Sequence, residues 1–219
     1  MKNNTIANID SCRLIANMKG FSADTLLYTV EAMIKGGIKA VEVAPDSLTE
    51  QGERDCVIKI GGLKKCFGKD LTVGATNVFT ERMVKLLKSA GADFVSSPTL
   101  NSNVLSRANA VDLCAMAGGF TATEISNAIG LGADYVRLFP STINGNTDYA
   151  ALMAETFTGA KLIATGNISF EDILPLHKAG INYFSIAGSL ANITLAIKQE
   201  YEIITREAQR YCELLGKIL

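Results

Sequence analysis

What most limits the fold of this chain is an alternation. Short apolar runs at residues 13–18, 40–44, 71–76, 94–98, 112–117 and 135–139, and two more within 161–189, are separated by stretches with helical character. Parallel strands need a crossover between them, and helices supply it. Eight strand–helix units with short connections predict a closed parallel sheet, an α/β fold of the (β/α)8 TIM-barrel type. An open doubly wound sheet is the runner-up, disfavoured because no dinucleotide fingerprint follows a strand. With no linker or low-complexity segment, residues 1–219 read as one barrel domain. It has a short N-terminal lead-in and a long C-terminal helix over about 194–215.

Composition narrows the partners. Lys plus Arg (21) nearly balances Asp plus Glu (22), so there is no basic footprint for nucleic acid. No apolar run reaches the ~18 residues that span a bilayer. The opening Met-Lys-Asn-Asn-Thr-Ile-Ala-Asn lacks the apolar core of a signal peptide. A cytoplasmic protein with neither membrane nor nucleic-acid partners is expected. Five scattered cysteines (Cys12, Cys56, Cys66, Cys114, Cys212) form no C-x-x-C pair, and the single histidine is His177. These argue against a disulfide framework, a zinc ribbon or a Cys–His nucleophile. No cofactor is implied.

The stretch 161–189 carries the first chemical signal. Two apolar runs each end in a glycine beside a small polar residue, Gly166 with Asn167 and Gly188 with Ser189. Glycine lets backbone N–H groups approach a ligand closely, and such groups at a helix start favour anions, phosphate above all. A short helix is expected to begin at each of Asn167 and Ser189. The alternative is two tight turns that need glycine for geometry alone.

The second signal comes from strand parity. With Val41 and Val43 facing the helices, Glu42 faces the barrel axis; with Val136 and Leu138 outward, Arg137 faces inward. A lone carboxylate and a lone guanidinium are costly inside a packed barrel unless paired. Either the two form an ion pair that holds the core, or they are an acid/base beside a fixed cation.

The ordered segments Gly36-Gly-Ile-Lys-Ala-Val-Glu-Val43, Val73-Gly-Ala-Thr76, Ala90-Gly-Ala-Asp-Phe-Val-Ser-Ser-Pro98, Gly132-Ala-Asp-Tyr-Val-Arg-Leu-Phe-Pro140, Ala164-Thr-Gly-Asn-Ile-Ser169 and Ile186-Ala-Gly-Ser189 resemble one family. It is the 2-keto-3-deoxy-6-phosphogluconate / 4-hydroxy-2-oxoglutarate aldolases. The resemblance implies a (β/α)8 barrel, a homotrimer, and cleavage or formation of a C–C bond that releases pyruvate from a small phosphorylated keto-acid or sugar. It places the family's glutamate acid/base on Glu42. Its phosphate-binding residues fall on Thr165, Gly166, Asn167, Gly188 and Ser189, with Asn167 in place of a glycine.

Two positions depart from the family. The Schiff-base lysine falls on Arg137, whose guanidinium has no lone pair to attack a ketone. The arginine for the substrate carboxylate falls on Asp46. No other lysine is read at a C-terminal strand end; Lys39 and Lys161 both sit at strand beginnings. The expected chemistry is therefore an enolate without an iminium, with Glu42 moving the proton and Arg137 stabilising the carbonyl oxygen. Asp46, Thr76, Pro98, Thr121 and Phe139 are expected to line the substrate pocket. Alternatives are an isomerase or epimerase on the same scaffold, and a catalytically silent binder of phosphorylated metabolites. Glu42 and Asp46 alone make a poor ligand set for Mg²⁺.

Overall fold

The computed structural model describes residues 2–218. Helix α1 (Lys2–Cys12) precedes β1 (Leu14–Asn17), α2 (Ala23–Lys35), β2 (Ala40–Val43), α3 (Glu50–Phe67), β3 (Thr72–Ala75) and α4 (Glu81–Ser89). Then come β4 (Phe94–Ser96), α5 (Ser102–Ala110), β5 (Cys114–Gly119), α6 (Ala122–Gly130), β6 (Tyr135–Leu138) and α7 (Asp148–Thr156). The chain continues through β7 (Leu162–Ala164), α8 (Ile173–Lys178), β8 (Tyr183–Ile186), α9 (Ile193–Ile197) and α10 (Tyr201–Ile218). The strands pair in parallel and in order, and β8 closes on β1 with Ser185 opposite Ile15. The alternation in the sequence thus becomes a closed (β/α)8 barrel.

Helix starts are written locally. Ser22, Thr49, Thr80, Asn101 and Thr121 each accept a backbone N–H of the helix that follows, satisfying donors that the first turn would otherwise orphan. Strand parity then divides the core in two. Val41, Val43, Val73, Ala75, Val95, Val136 and Leu138 face the helices and belong to the large outer cluster. Ile15, Ala40, Phe94, Cys114, Met116, Tyr135 and Ile163 fill the lower axis. The Phe94 ring occupies the axis only because β3 carries Gly74, where an added Cβ would stand 2.4 Å from that ring.

Four elements differ from the sequence reading, each for a local reason. The lead-in is helix α1, and its Ile9 enters the lower-axis cluster. The fifth strand begins at Cys114, two residues late, because Asp112 has left-handed backbone at φ 55°. No helix starts at Asn167 or Ser189; Asn167 is left-handed at φ 49°, and the next helices begin at Ile173 and Ile193. The long C-terminal helix is broken into α9 and α10, with Gln199 at φ 59° between them.

Below the apolar layer, α1 shuts the barrel. Asp10 accepts from the Tyr135 hydroxyl at 2.7 Å and the Tyr183 hydroxyl at 2.9 Å, and pairs with Lys161. Burial pushes the Asp10 carboxyl up, but the hydrogen bonds from Lys161, Tyr135 and Tyr183 outweigh it and hold the group below the usual range. A depressed carboxylate contributes stability above its unfolded pKa and loses it as pH falls through the folded value. Asp10→Asn should therefore melt earlier than wild type at neutral pH, and the gap should close below about pH 4. A gap that is flat from pH 7 to pH 3 in thermal melts would contradict this account of the floor.

Candidate functional site

Above the apolar layer the axis turns polar. The change occurs two residues further along five strands: Ile15 to Asn17, Ala40 to Glu42, Phe94 to Ser96, Tyr135 to Arg137 and Tyr183 to Ser185. Period-2 alternation makes each of these point inward as its predecessor does. Another two residues on, Lys19, Ala44, Pro98, Phe139 and Ala187 reach the C-terminal mouth, joined by Thr76, Asn77 and Thr165–Asn167. The resulting cavity holds about 290 Å³.

The polar layer is one network. Arg137 Nη1 donates to Glu42 Oε2 at 2.6 Å and to Ser96 Oγ at 2.7 Å. Its Nη2 donates to Glu42 Oε1 and to Ser185 Oγ, each at 3.0 Å. Glu42 Oε1 also accepts from Asn17 Nδ2 at 2.8 Å and from the Ser185 hydroxyl at 2.7 Å. The ion pair is thus bidentate, and both terminal nitrogens of Arg137 have protein acceptors. Glu42 is 0% exposed and Arg137 5%. Arg137 lines the mouth while Glu42 lies behind it, so the pair turns its positive end toward the opening. Asn17 carries one unsatisfied atom: its Oδ1 is buried without a hydrogen-bond partner. Turning the amide over would set that oxygen against the Glu42 carboxylate, so the orientation is fixed.

The rim beside Phe139 is built around Thr165–Asn167. Ser141 is buried; its hydroxyl donates to the Leu138 carbonyl and accepts the Thr165 N–H, both at 2.7 Å. The Thr165 hydroxyl donates to the same carbonyl at 2.9 Å. Gly166 (φ 90°) and Asn167 (φ 49°) then turn left-handed in succession, and a Cβ on Gly166 would press on the Phe139 ring at 3.3 Å. Both residues line the opening.

The structure brings Arg137, Thr76, Pro98, Phe139, Thr165, Gly166 and Asn167 together around this opening, with Glu42 behind. Four expected residues are not among those that line the cavity. Thr121 caps α6 in a reciprocal box with Glu124. Asp46 is half exposed and paired with Lys59 at 2.7 Å. Ser189 donates to the Ile168 carbonyl at 2.9 Å and accepts from the Tyr211 hydroxyl at 3.0 Å. Gly188 heads a turn in which the Leu190 and Ala191 N–H groups fold back onto the Ala187 carbonyl, with open space where its Cβ would be.

Asn17, Lys19, Asn77 and Ser185 were not read from the sequence as site residues. Lys19 is a correction: a lysine does stand at a C-terminal strand end, just past β1 and exposed at the mouth. Its parity with Ile15 and Asn17 is the signal that places it there. The cysteines and His177 stay outside the site. Burial pushes the Cys56 thiol up to about 12 and raises that of Cys114, which makes both poor nucleophiles. His177 Nδ1 hydrogen-bonds Asn182 on the outer shell. Among the described residues no three His, Cys, Asp or Glu side chains gather as metal ligands, and no helix is long and apolar enough to cross a membrane.

Comparisons with known proteins agree with the barrel fold. A family model for KDPG and KHG aldolases matches residues 6–206. The 2-dehydro-3-deoxy-6-phosphogalactonate aldolase of Escherichia coli is 29% identical over 76% of this chain and 78% of its own. The 2-dehydro-3-deoxy-phosphogluconate aldolase of Treponema pallidum is 30% identical over 65% of this chain and 64% of its own. Among solved structures, KDPG aldolase from Legionella pneumophila, captured with pyruvate as a covalent carbinolamine, superposes with a TM-score of 0.82. That pair covers 96% of this chain and 98% of the other at 19% identity, a likeness of fold. The matched residues run through every strand of the barrel, and the chain belongs to the KDPG and KHG aldolase family, as an aldolase-like lyase.

Proposed function

We propose that this lyase acts on a small phosphorylated 2-keto acid or sugar through an enolate, without a Schiff base at residue 137. One observation carries the reading: a buried ion pair presents Arg137, its positive end, at the base of an open mouth. Fixed positive charge beside a developing oxyanion lowers the barrier, since the site is already oriented when the charge appears. Glu42 takes the proton and returns it. Lys19, the Thr165–Asn167 turn and the Gly188–Ser189 turn hold the anionic ends of the substrate. Homotrimeric assembly and a cytoplasmic location complete the proposal. Sedimentation at the 23.3 kDa of one chain would count against the trimer.

A silent binder is the second reading, favoured by one observation. Glu42 is fully buried, and four hydrogen-bond donors from Asn17, Arg137 and Ser185 point at its carboxylate. Turnover of a phosphorylated keto acid that disappears in Glu42→Gln supports the enzyme. Tight binding of such a ligand with no turnover in wild type supports the binder.

The phosphate site has its own test. Because a Cβ at Gly188 meets nothing within 4 Å, Gly188→Leu should fold as wild type does. Its side chain would cover the turn, and calorimetric titration with inorganic phosphate should lose its signal. Unchanged affinity in that variant would remove the Gly188–Ser189 turn from the phosphate site.

A further inference from the structure

Glu42 is 0% exposed and sits behind Arg137, so a proton passing between it and a ligand at the mouth has to cross another side chain. We propose that Ser185 is that side chain, a catalytic proton relay; the inference rests on the enolate reading above. Ser185 lines the mouth. Its hydroxyl donates to Glu42 Oε1 at 2.7 Å and accepts from Arg137 Nη2 at 3.0 Å.

The direction of that hydroxyl proton follows from its neighbours. A guanidinium has no lone pair to offer and a carboxylate has no proton, so the Ser185 proton must lie toward Glu42. One lone pair of Oγ is taken by Arg137, and the other is left for a group entering the mouth. No other side chain of the network combines these properties. Asn17 also joins the mouth to Glu42 Oε1, at 2.8 Å, but an amide N–H is a donor that does not titrate. Ser96 accepts from Arg137 at 2.7 Å but is not among the residues that line the cavity.

The step balances as follows. The C–H bond beside the ligand carbonyl breaks, and its electron pair forms the enolate, whose charge rests on oxygen beside Arg137. The released proton goes to Ser185 Oγ while the Ser185 proton passes to Glu42 Oε1. Glu42 ends neutral, Ser185 is again a hydroxyl, and the ligand carries the negative charge. The reverse sequence protonates the enolate.

The test is exchange of the pyruvate methyl protons for deuterium in D₂O, followed by proton NMR, which needs no aldehyde partner. Wild type should accelerate the exchange, and Ser185→Ala should slow it by about 10²-fold, the usual worth of a positioned proton carrier. Ser185→Thr keeps the hydroxyl and should recover most of the rate. Glu42→Gln with Ser185→Ala should be no slower than Glu42→Gln alone, because both act on one proton path. A residue that only props up the network would instead slow the double variant further. Exchange in Ser185→Ala within about threefold of wild type overturns the relay and leaves the enolate reading standing. Additive losses in the double variant do the same. No acceleration by wild type overturns the enolate reading and the relay with it.

Discussion

Arg137→Met should lower the free energy of unfolding by about 3–5 kcal/mol, a fall in melting temperature on the order of 10 °C. The loss comes from the partner left behind. Glu42 would be left at 0% exposure without its cation, with only the donors of Asn17 and Ser185 to replace water. Removing both charges tells a different story. Glu42→Leu with Arg137→Met takes away the pair and its desolvation together, and should return to within about 1 kcal/mol of wild type. Urea unfolding of the two single variants and the double variant measures all three. A loss below about 1 kcal/mol for Arg137→Met would mean that the pair behaves like a surface bridge, with water reaching Glu42. The contrast also bears on function. A charge pair that can be deleted without loss of stability, but whose deletion silences the mouth, is kept for chemistry.

The second large effect is a gain. Treated with pyruvate and borohydride, Arg137→Lys should acquire a covalent adduct at residue 137, where wild type acquires none. A guanidinium cannot condense with a ketone, whereas a lysine amine at the same inward position can. Glu42 beside it favours the charged ammonium and burial opposes it, so trapping should be slow. Lys19 must be controlled for, since it offers an amine at the rim. Peptide mapping should place any wild-type adduct on Lys19, and Lys19→Met should erase it without touching the adduct at 137. An adduct on neither lysine in Arg137→Lys would show that the pocket no longer accepts pyruvate, which favours the binder. Adding Asp46→Arg should not help, because Asp46 is tied to Lys59 and stands outside the cavity.

Parity explains what could be read in advance. Glu42 and Arg137 stood out because charge is rare on the inner face of a barrel strand, and alternation from Val41, Val43, Val136 and Leu138 gave their direction. Asn17, Ser96 and Ser185 lie at the same height on the same face, yet a single small polar residue in an apolar run carries no such alarm. They become legible only once Glu42 and Arg137 are known to need donors and acceptors. Ser22, Thr49 and Thr80 announce their helices by capping chemistry. Helix α1 gives weak notice, because its buried contacts are Thr5 and Ile9, one turn apart in a polar stretch. Left-handed Asp112, Asn167 and Gln199 were missed for another reason. Backbone of that kind is set by tertiary packing as much as by residue type, and it moved one strand start and two helix starts.

Among the described residues, the floor closed by Ile9 and Asp10 leaves the chamber open at the mouth. Any reaction that splits one molecule into two must send both fragments out past Phe139 and Lys19, and they cannot pass at once. On the proposed reading, a fragment anchored at the rim by Gly166 and Asn167 would block the way for a fragment lying against Arg137. Departure is therefore sequential, rim fragment first, and synthesis in reverse must load the deep fragment before the shallow one. In steady-state kinetics this order would be written as competitive inhibition by the deep product and noncompetitive inhibition by the other.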